Sequence, residues 1–406
     1  MPFRIALSGL NAASSDLGVT ANNIANTATV GFKGSRAEFG DVYAVAYQGI
    51  SDTATGSGVR LSNVSQQFGQ GNIDFTDNSL DMAISGEGFF VLSDEGSLNY
   101  SRAGTFSVDR EGYVVNAQNM RVQVYPPNST GQINTGVLTD LRLDTTEGAP
   151  SPTTSIEVGA NLPADDSAPP TPVFDPNDAT SFNGSTSTTV YDSLGTAMTG
   201  TLYFVKDGTT ANTWDAYFYI DGTAIGGAQQ LVFNPDGTLN TPANGDINFG
   251  TFTPTNGAAP LSPTVNYSNA TQYGGGFGVN QLMQDGFASG RLSGIDVDPS
   301  GVVLARFTNG QSQPLGQIAL ANFPNPQGLQ QQGNTSWAET FSSGTAVLGQ
   351  AGTGSLGLIQ SGALEGSNVD LTEQLVNLIT AQRNFQANAQ VISTADSVTQ
   401  TIINIR

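Results

Sequence analysis

The 406-residue chain contains no cysteine and no histidine, and only 12% of its residues are charged. Without cysteine there are neither disulfides nor thiolate chemistry, and secreted and intracellular settings stay equally open. Without histidine, His-based triads and His-ligated metals are excluded. No catalytic, metal or cofactor site is expected, and the chain is read as not an enzyme. Charge is scarce against the about 25% of an average globular protein. It is also lopsided: 13 Lys plus Arg face 34 Asp plus Glu, a formal charge of −21. A nucleic-acid partner would need a basic footprint that is missing here, and an anionic membrane surface would repel the chain. No apolar run approaches the about 20 residues of a membrane span. Ser8, Asn11, Ser14, Ser15 and Asp16 break up the apolar stretch that a Sec signal peptide requires.

Gly, Ser, Thr, Asn and Gln take the place of the missing charges, and their distribution divides the chain. Gly contributes 49 residues in all, yet the forty residues from Ser367 to Arg406 hold neither Gly nor Pro. That end reads as one long helix starting near Asp370, with Glu373 at a capping-box spacing. Its stripe is Leu371, Leu375, Leu378, Gln382, Phe385, Ala389 and Ile392; after a slip of one position it continues through Ala395, Val398, Ile402 and Ile405. At the other end Phe3, Leu7, Leu10, Ser14, Leu17, Ala21 and Ile24 follow the 4- and 3-residue steps of a coiled-coil seam. By themselves the stripes fit either an ordinary helical hairpin or surfaces that bury against neighbouring subunits.

Between the ends the period changes to two. Leu80, Met82 and Ile84 alternate, Phe89 to Leu92 reads as a buried strand, and Asp109 to Gly112 as a hairpin turn. A Pro-rich stretch after Glu147 marks a domain crossing into a second β region with turns at Asp192–Gly195 and Asn234–Gly237. The expected fold class is mainly β and multi-domain, with paired N- and C-terminal α-helices. The expected divisions are an N-terminal helix (1–26), an extended connector (27–70), a discontinuous β domain (71–145 plus 285–360), an inserted β domain (146–284) and a C-terminal helix (361–406). Glu87 with Asp94, or Asp165 with Asp166, could be cast as a glycosidase pair, but carboxylates in Gly- and Pro-rich turns are usually solvated. The Asp296–Gly301 turn lacks the ligand spacing of an EF-hand.

Ala6-Leu7-Ser8-Gly9-Leu10-Asn11-Ala12-Ala13, with Asn22-Asn23-Ile24-Ala25-Asn26-Thr27 and Gly31-Phe32-Lys33, resembles the N-terminal signature of bacterial flagellar rod and hook proteins. Gly362-Ala363-Leu364-Glu365-Gly366 through Leu371, and Ala381-Gln382-Arg383-Asn384-Phe385-Gln386, are similar to the matching C-terminal signature. Tyr100-Ser101-Arg102-Ala103-Gly104-Thr105-Phe106 occurs in both rod and hook members. Val190-Tyr191-Asp192-Ser193-Leu194-Gly195, the Leu315–Phe323 stretch and the total length look hook-like.

The resemblance implies a structural subunit that polymerises into the hollow, bendable flagellar hook, the joint that carries motor torque from rod to filament. It implies self-assembly through Phe3, Leu7, Leu10, Leu17, Ile24, Asn22, Asn23 and Asn26 at one end. At the other end it implies Leu371, Leu375, Leu378, Gln382, Phe385, Ala389, Ile392 and Ile402. Implied partners are the distal rod, hook cap and hook–filament junction proteins and the flagellar type III export apparatus. Neither nucleic acid nor membrane insertion is implied. The implied location is extracellular, in the flagellum, reached without a cleaved signal peptide. The amides beside the seam (with Asn384, Gln386, Asn388 and Gln390) would keep an export channel wettable. A distal rod or hook-associated component is the alternative, and a secreted β-rich adhesin or glycosidase the alternative of another class.

Overall fold

The computed structural model describes residues 2–42, 56–128, 131–143 and 147–404. Helix α1 spans Pro2–Ala25 and helix α2 spans Leu371–Asn404; nearly all other regular structure is strand. The stripe position Ile405 and the connector glycine Gly49 lie outside the described residues. The chain forms two compact units. One takes Met1–Asp144, Gly294–Arg306 and Ser312–Arg406; the other takes Thr145–Ser293 and Phe307–Gln311.

The first unit is built on a 12-stranded sheet, whose central run is Ser312–Asn322, Arg121–Tyr125, Phe89–Asp94 and Ser97–Ser101. Both faces of this run are covered, which is why Phe89-Phe90-Val91-Leu92 is apolar throughout rather than alternating. Successive side chains point to opposite faces. Phe90, Leu92, Ile318 and Leu320 therefore enter one core cluster, with Met82, Ile84 and Ile359. Phe89, Val91, Ala319 and Ala321 enter another, with Tyr100, Phe323 and Trp337. The expected hairpin forms at Asp109–Gly112, where the Gly112 amide donates to the Asp109 carbonyl at 3.2 Å. Gly104 allows the Met82 amide to reach its carbonyl at 2.9 Å. A Cβ there would lie 1.6 Å from the Met82 oxygen, so no other residue fits.

Residues 27–70, expected to be an extended connector, contain a hairpin of β1 (Ser35–Asp41) and β2 (Val59–Gln66). Its strands bury little, leaving Phe39, Leu61 and Val64 exposed. Weak burial leaves no clean alternation, and the period-two signal was too faint to read.

The second unit stacks two sheets. A 5-stranded antiparallel sheet runs in chain order from Gly184–Tyr191 to Leu239–Thr241. A 4-stranded sheet gathers Ser155–Asn161, Asp246–Asn248, Thr264–Asn266 and Gly278–Gln284. Phe204, Trp214 and Phe218 from the first meet Ile156, Val158 and Val265 from the second in one core. The Asp192–Gly195 turn is locked by the buried Asp192 carboxylate, which accepts from the Leu194 and Thr196 amides at 2.9 and 2.8 Å.

Candidate assembly site

Asp370 caps α2: its carboxylate accepts from the amides of Thr372 at 2.7 Å and Glu373 at 3.2 Å, satisfying N–H groups that the first turn leaves open. The 34 residues of α2 make a rod of about 51 Å. α1 lies antiparallel against it. Gly9 abuts Asn388, where a Cβ would come within 2.5 Å of the side-chain oxygen. Fourteen residues further along α1, Asn23 Nδ2 donates to Gln374 Oε1 at 3.1 Å. By this register Pro2 is level with about residue 395, and the last turns of α2 run on past α1.

The face of α1 turned inward carries small and polar residues. Ala6, Ala13 and Thr20 are buried at heptad spacing, and a second heptad row offset by three runs through half-buried Gly9 and Asp16 to buried Asn23. On α2 the buried or half-buried row is Gln374, Leu378, Ala381, Phe385, Asn388, Ile392 and Ala395. The small residues of α1 let the backbones approach closely, so the bulky α1 stripe is not the intramolecular seam, while part of the α2 stripe is.

The predicted α1 stripe sits one position, about 100°, around the helix. Phe3 and Leu7 are 51% and 43% exposed, while Leu10, Leu17 and Ile24 are half-buried at its edge. On α2 the predicted residues divide. Leu378, Phe385, Ala389 and Ile392 flank α1, whereas Leu371 (48% exposed), Leu375, Gln382 and Ile402 (64% exposed) face outward with Val376, Ile379 and Ile403. The two helices together therefore present apolar side chains that nothing among the described residues covers.

The amides divide in the same way. Asn23 is buried as a three-way clamp: besides Gln374, its Nδ2 donates to the Ser35 carbonyl at 2.7 Å and its Oδ1 accepts from the Ser35 amide at 2.9 Å. Asn388 is half-buried against Gly9, and its Nδ2 donates to the Asn384 carbonyl at 2.8 Å. Asn26 Nδ2 donates back to the Asn22 carbonyl at 2.9 Å. Asn22, Asn384, Gln386 and Gln390 are exposed. Asp16 lies in the helix pair, and burial raises its carboxyl above the ordinary 3.8.

Both ends are tied to the first unit's sheet at one buried carboxylate. Glu365 Oε1 accepts from Lys33 Nζ at 2.7 Å and from the Gly71 amide at 2.8 Å, and Oε2 accepts from Arg102 Nη1 at 3.1 Å. Lys33 also donates to the Gly69 carbonyl at 2.8 Å, Arg102 Nη2 to the Gly86 carbonyl at 2.8 Å, and the Gly31 amide to the Glu365 carbonyl at 2.7 Å. Burial pushes the Lys33 ammonium and the Arg102 guanidinium below their ordinary values, and the Glu365 charge opposes that push. These three residues lie within the rod- and hook-like signatures, but nothing in their local sequence encodes their pairing. The available signal is that each is a lone charge set among glycines and apolar residues in a chain with few charges.

Four families match successive stretches. They are described as flagella basal body rod protein (residues 3–33), flagellar hook protein FlgE/F/G D1 domain (83–161), flagellar basal body protein FlaE D2 domain (161–287) and flagellar basal body rod FlgEFG protein C-terminal (360–405). Flagellar hook protein FlgE of Escherichia coli K12 is 40% identical over 421 residues, covering 100% of both chains. Its counterpart in Salmonella typhimurium is 39% identical with the same coverage, and that of Borreliella burgdorferi is 32% identical over 98% of each chain. The crystal structure of Helicobacter pylori flagellar hook protein FlgE2 superposes with a TM-score of 0.55 at 15% identity, over 72% of this chain and 100% of that one, a likeness of fold. Among the described residues no helix is long and apolar enough to cross a membrane.

Proposed function

The chain belongs to the flagellar hook protein family and is a structural subunit of the hook, not an enzyme, and on that premise we propose that its paired terminal helices form the wall through which copies polymerise. The carrying observation is the outward apolar row: Phe3, Leu7, Leu371, Leu375 and Ile402 are exposed although the helix pair is already closed by small residues. A narrow apolar stripe gains most of its stability from packing, and the partner that supplies it is the same pair in the next copies. Rod, cap and junction proteins offering equivalent helices would dock on these faces at the ends of the polymer.

Leucines and isoleucines face neighbouring walls in this arrangement. The exposed amides Asn384, Gln386 and Gln390 line the channel, wettable without fixed charge, for cargo exported by the type III route that also carries this chain out. The second unit forms the outer layer whose contacts between copies set curvature. With so few charges those contacts are weak and exchangeable, since exposed pairs contribute only about 0–1 kcal/mol each.

One deletion experiment tests both roles. Removing residues 371–404 should abolish polymers and also docking on growing ends. Removing residues 146–284 should leave tubes that assemble but hold no curve. Normal tubes from the first deletion, or normally curved ones from the second, would refute the corresponding assignment.

A further inference from the structure

Phe341 is the most open large apolar side chain among the described residues, with a relative exposure of 105%. The turn that carries it is nonetheless firmly built. Thr340 Oγ1 donates to the Gly328 carbonyl at 2.5 Å, and the Ser343 amide and hydroxyl both donate to the Thr340 carbonyl, at 3.2 and 2.8 Å. Asn325 Nδ2 holds the Ser342 carbonyl at 2.9 Å. A ring displayed on a fixed turn loses little backbone freedom when it is buried. Among the described residues of its own unit it has nothing to pack against.

The same unit also has an open groove of about 650 Å³, walled by Phe75, Pro299 and Leu358 and floored by Val297 and Ile359, with Asp77, Asp296 and several hydroxyl side chains also in its lining. Phe75 is 80% exposed there and Leu358 48%. The Phe341 turn cannot fold back into it. The turn rises between Trp337 and Ala346, which pack with Phe89, Val91, Ala319 and Ala321. The groove floor packs with Phe90, Leu92, Ile318 and Leu320, the alternate residues of the same strands. Ring and groove therefore belong to opposite faces of one sheet.

We propose that Phe341 of one copy seats in the Phe75–Pro299–Leu358 groove of a neighbouring copy. This deepens the polymer reading and rests on it, naming one contact between copies. A ring on one face and its socket on the other make a head-to-tail contact, which repeats along an open array instead of closing into a pair. One aromatic side chain buries about 150–250 Å², far below the about 1,200 Å² that a stable pair needs. The contact therefore forms only between copies already arrayed by their helices. It involves no ion pair, and it can release and reseat as the polymer bends.

The absence of native cysteine makes the test clean. Polymers of a Phe341→Cys, Phe75→Cys double variant should give a ladder of cross-linked multiples under mild oxidation. Mixtures of the two single variants should stop at dimers, and a Phe341→Cys, Val137→Cys control should stay monomeric. No ladder from the 341–75 pair, or an equal one from the control, overturns the proposal. Separately, Phe341→Ser should leave the melting of the free chain unchanged and raise the critical concentration for polymerisation about ten- to a hundredfold. An unchanged critical concentration also overturns it. Failure of the parental chain to polymerise would instead count against the reading beneath it.

Discussion

Replacing Glu365 by glutamine removes one charge from a site where three are buried together. Lys33 and Glu365 side chains are 0% exposed and Arg102 is 5% exposed. The amide keeps one acceptor oxygen but turns an NH2 toward either Lys33 at 2.7 Å or Arg102 at 3.1 Å, setting donor against donor. Two cations are then left in the interior with no counter-charge. Breaking a buried pair from one side costs about 3–5 kcal/mol. For a unit of this size each kcal/mol moves the midpoint by about 2–4 °C, so a drop of about 6–20 °C is expected. The two tryptophans lie one in each unit, Trp337 in the first and Trp214 in the second. In a Trp214→Phe background, fluorescence during heating therefore reports the first unit through Trp337. Apolar replacement of all three (Lys33→Met, Arg102→Met, Glu365→Leu) should restore most of the loss, because no charge is then stranded. A Glu365→Gln midpoint within 2 °C of the parent, below the smallest drop this reasoning allows, would refute the knot as the tie between the ends.

Burial raises the Asp16 carboxyl, so its ionisation opposes docking of α1 on α2. The folded state holds the proton more tightly than the unfolded chain does, and this contribution is present at acid pH and lost as pH rises through the raised value. Asp16→Asn should therefore slow hydrogen exchange in α1 at neutral pH, with the gain fading on acidification; an equal gain at pH 4 and pH 7 would contradict the assignment. Asn384→Leu should leave hook assembly intact and slow filament growth beyond it, because the exposed amide is assigned to the channel. Filament growth at the parental rate would remove Asn384 from the lumen.

The legible part of the fold was the part governed by strong periodicity. Phe89 to Leu92, the Asp109 turn and the uninterrupted α2 announced themselves because burial on known faces dictates their composition. The β1–β2 hairpin did not, since strands that bury little carry no alternation. The row that closes the helix pair on the α1 side lies one position from the apolar stripe, and it is the less legible of the two for a related reason. Apolar periodicity marks large residues, whereas Gly9, Ala13 and Ala381 make the close contact, and large residues divide between the seam (Leu378, Phe385, Ile392) and the outside (Phe3, Leu7, Leu371, Leu375). The Lys33–Glu365–Arg102 knot joins residues hundreds of positions apart. Spacing along a chain holds no information about such a meeting, even though each member stood inside a recognisable motif.

The sharing of one carboxylate by both termini governs how force enters the molecule. A pull on α1 reaches the sheet through Gly31 and Lys33, and a pull on α2 reaches it through the strand that carries Glu365. The two struts thus load a common rivet side by side, so its bonds must shear at once instead of peeling in succession. In a rotating joint, that arrangement spreads each turn's strain across both walls of the subunit before either can give way alone.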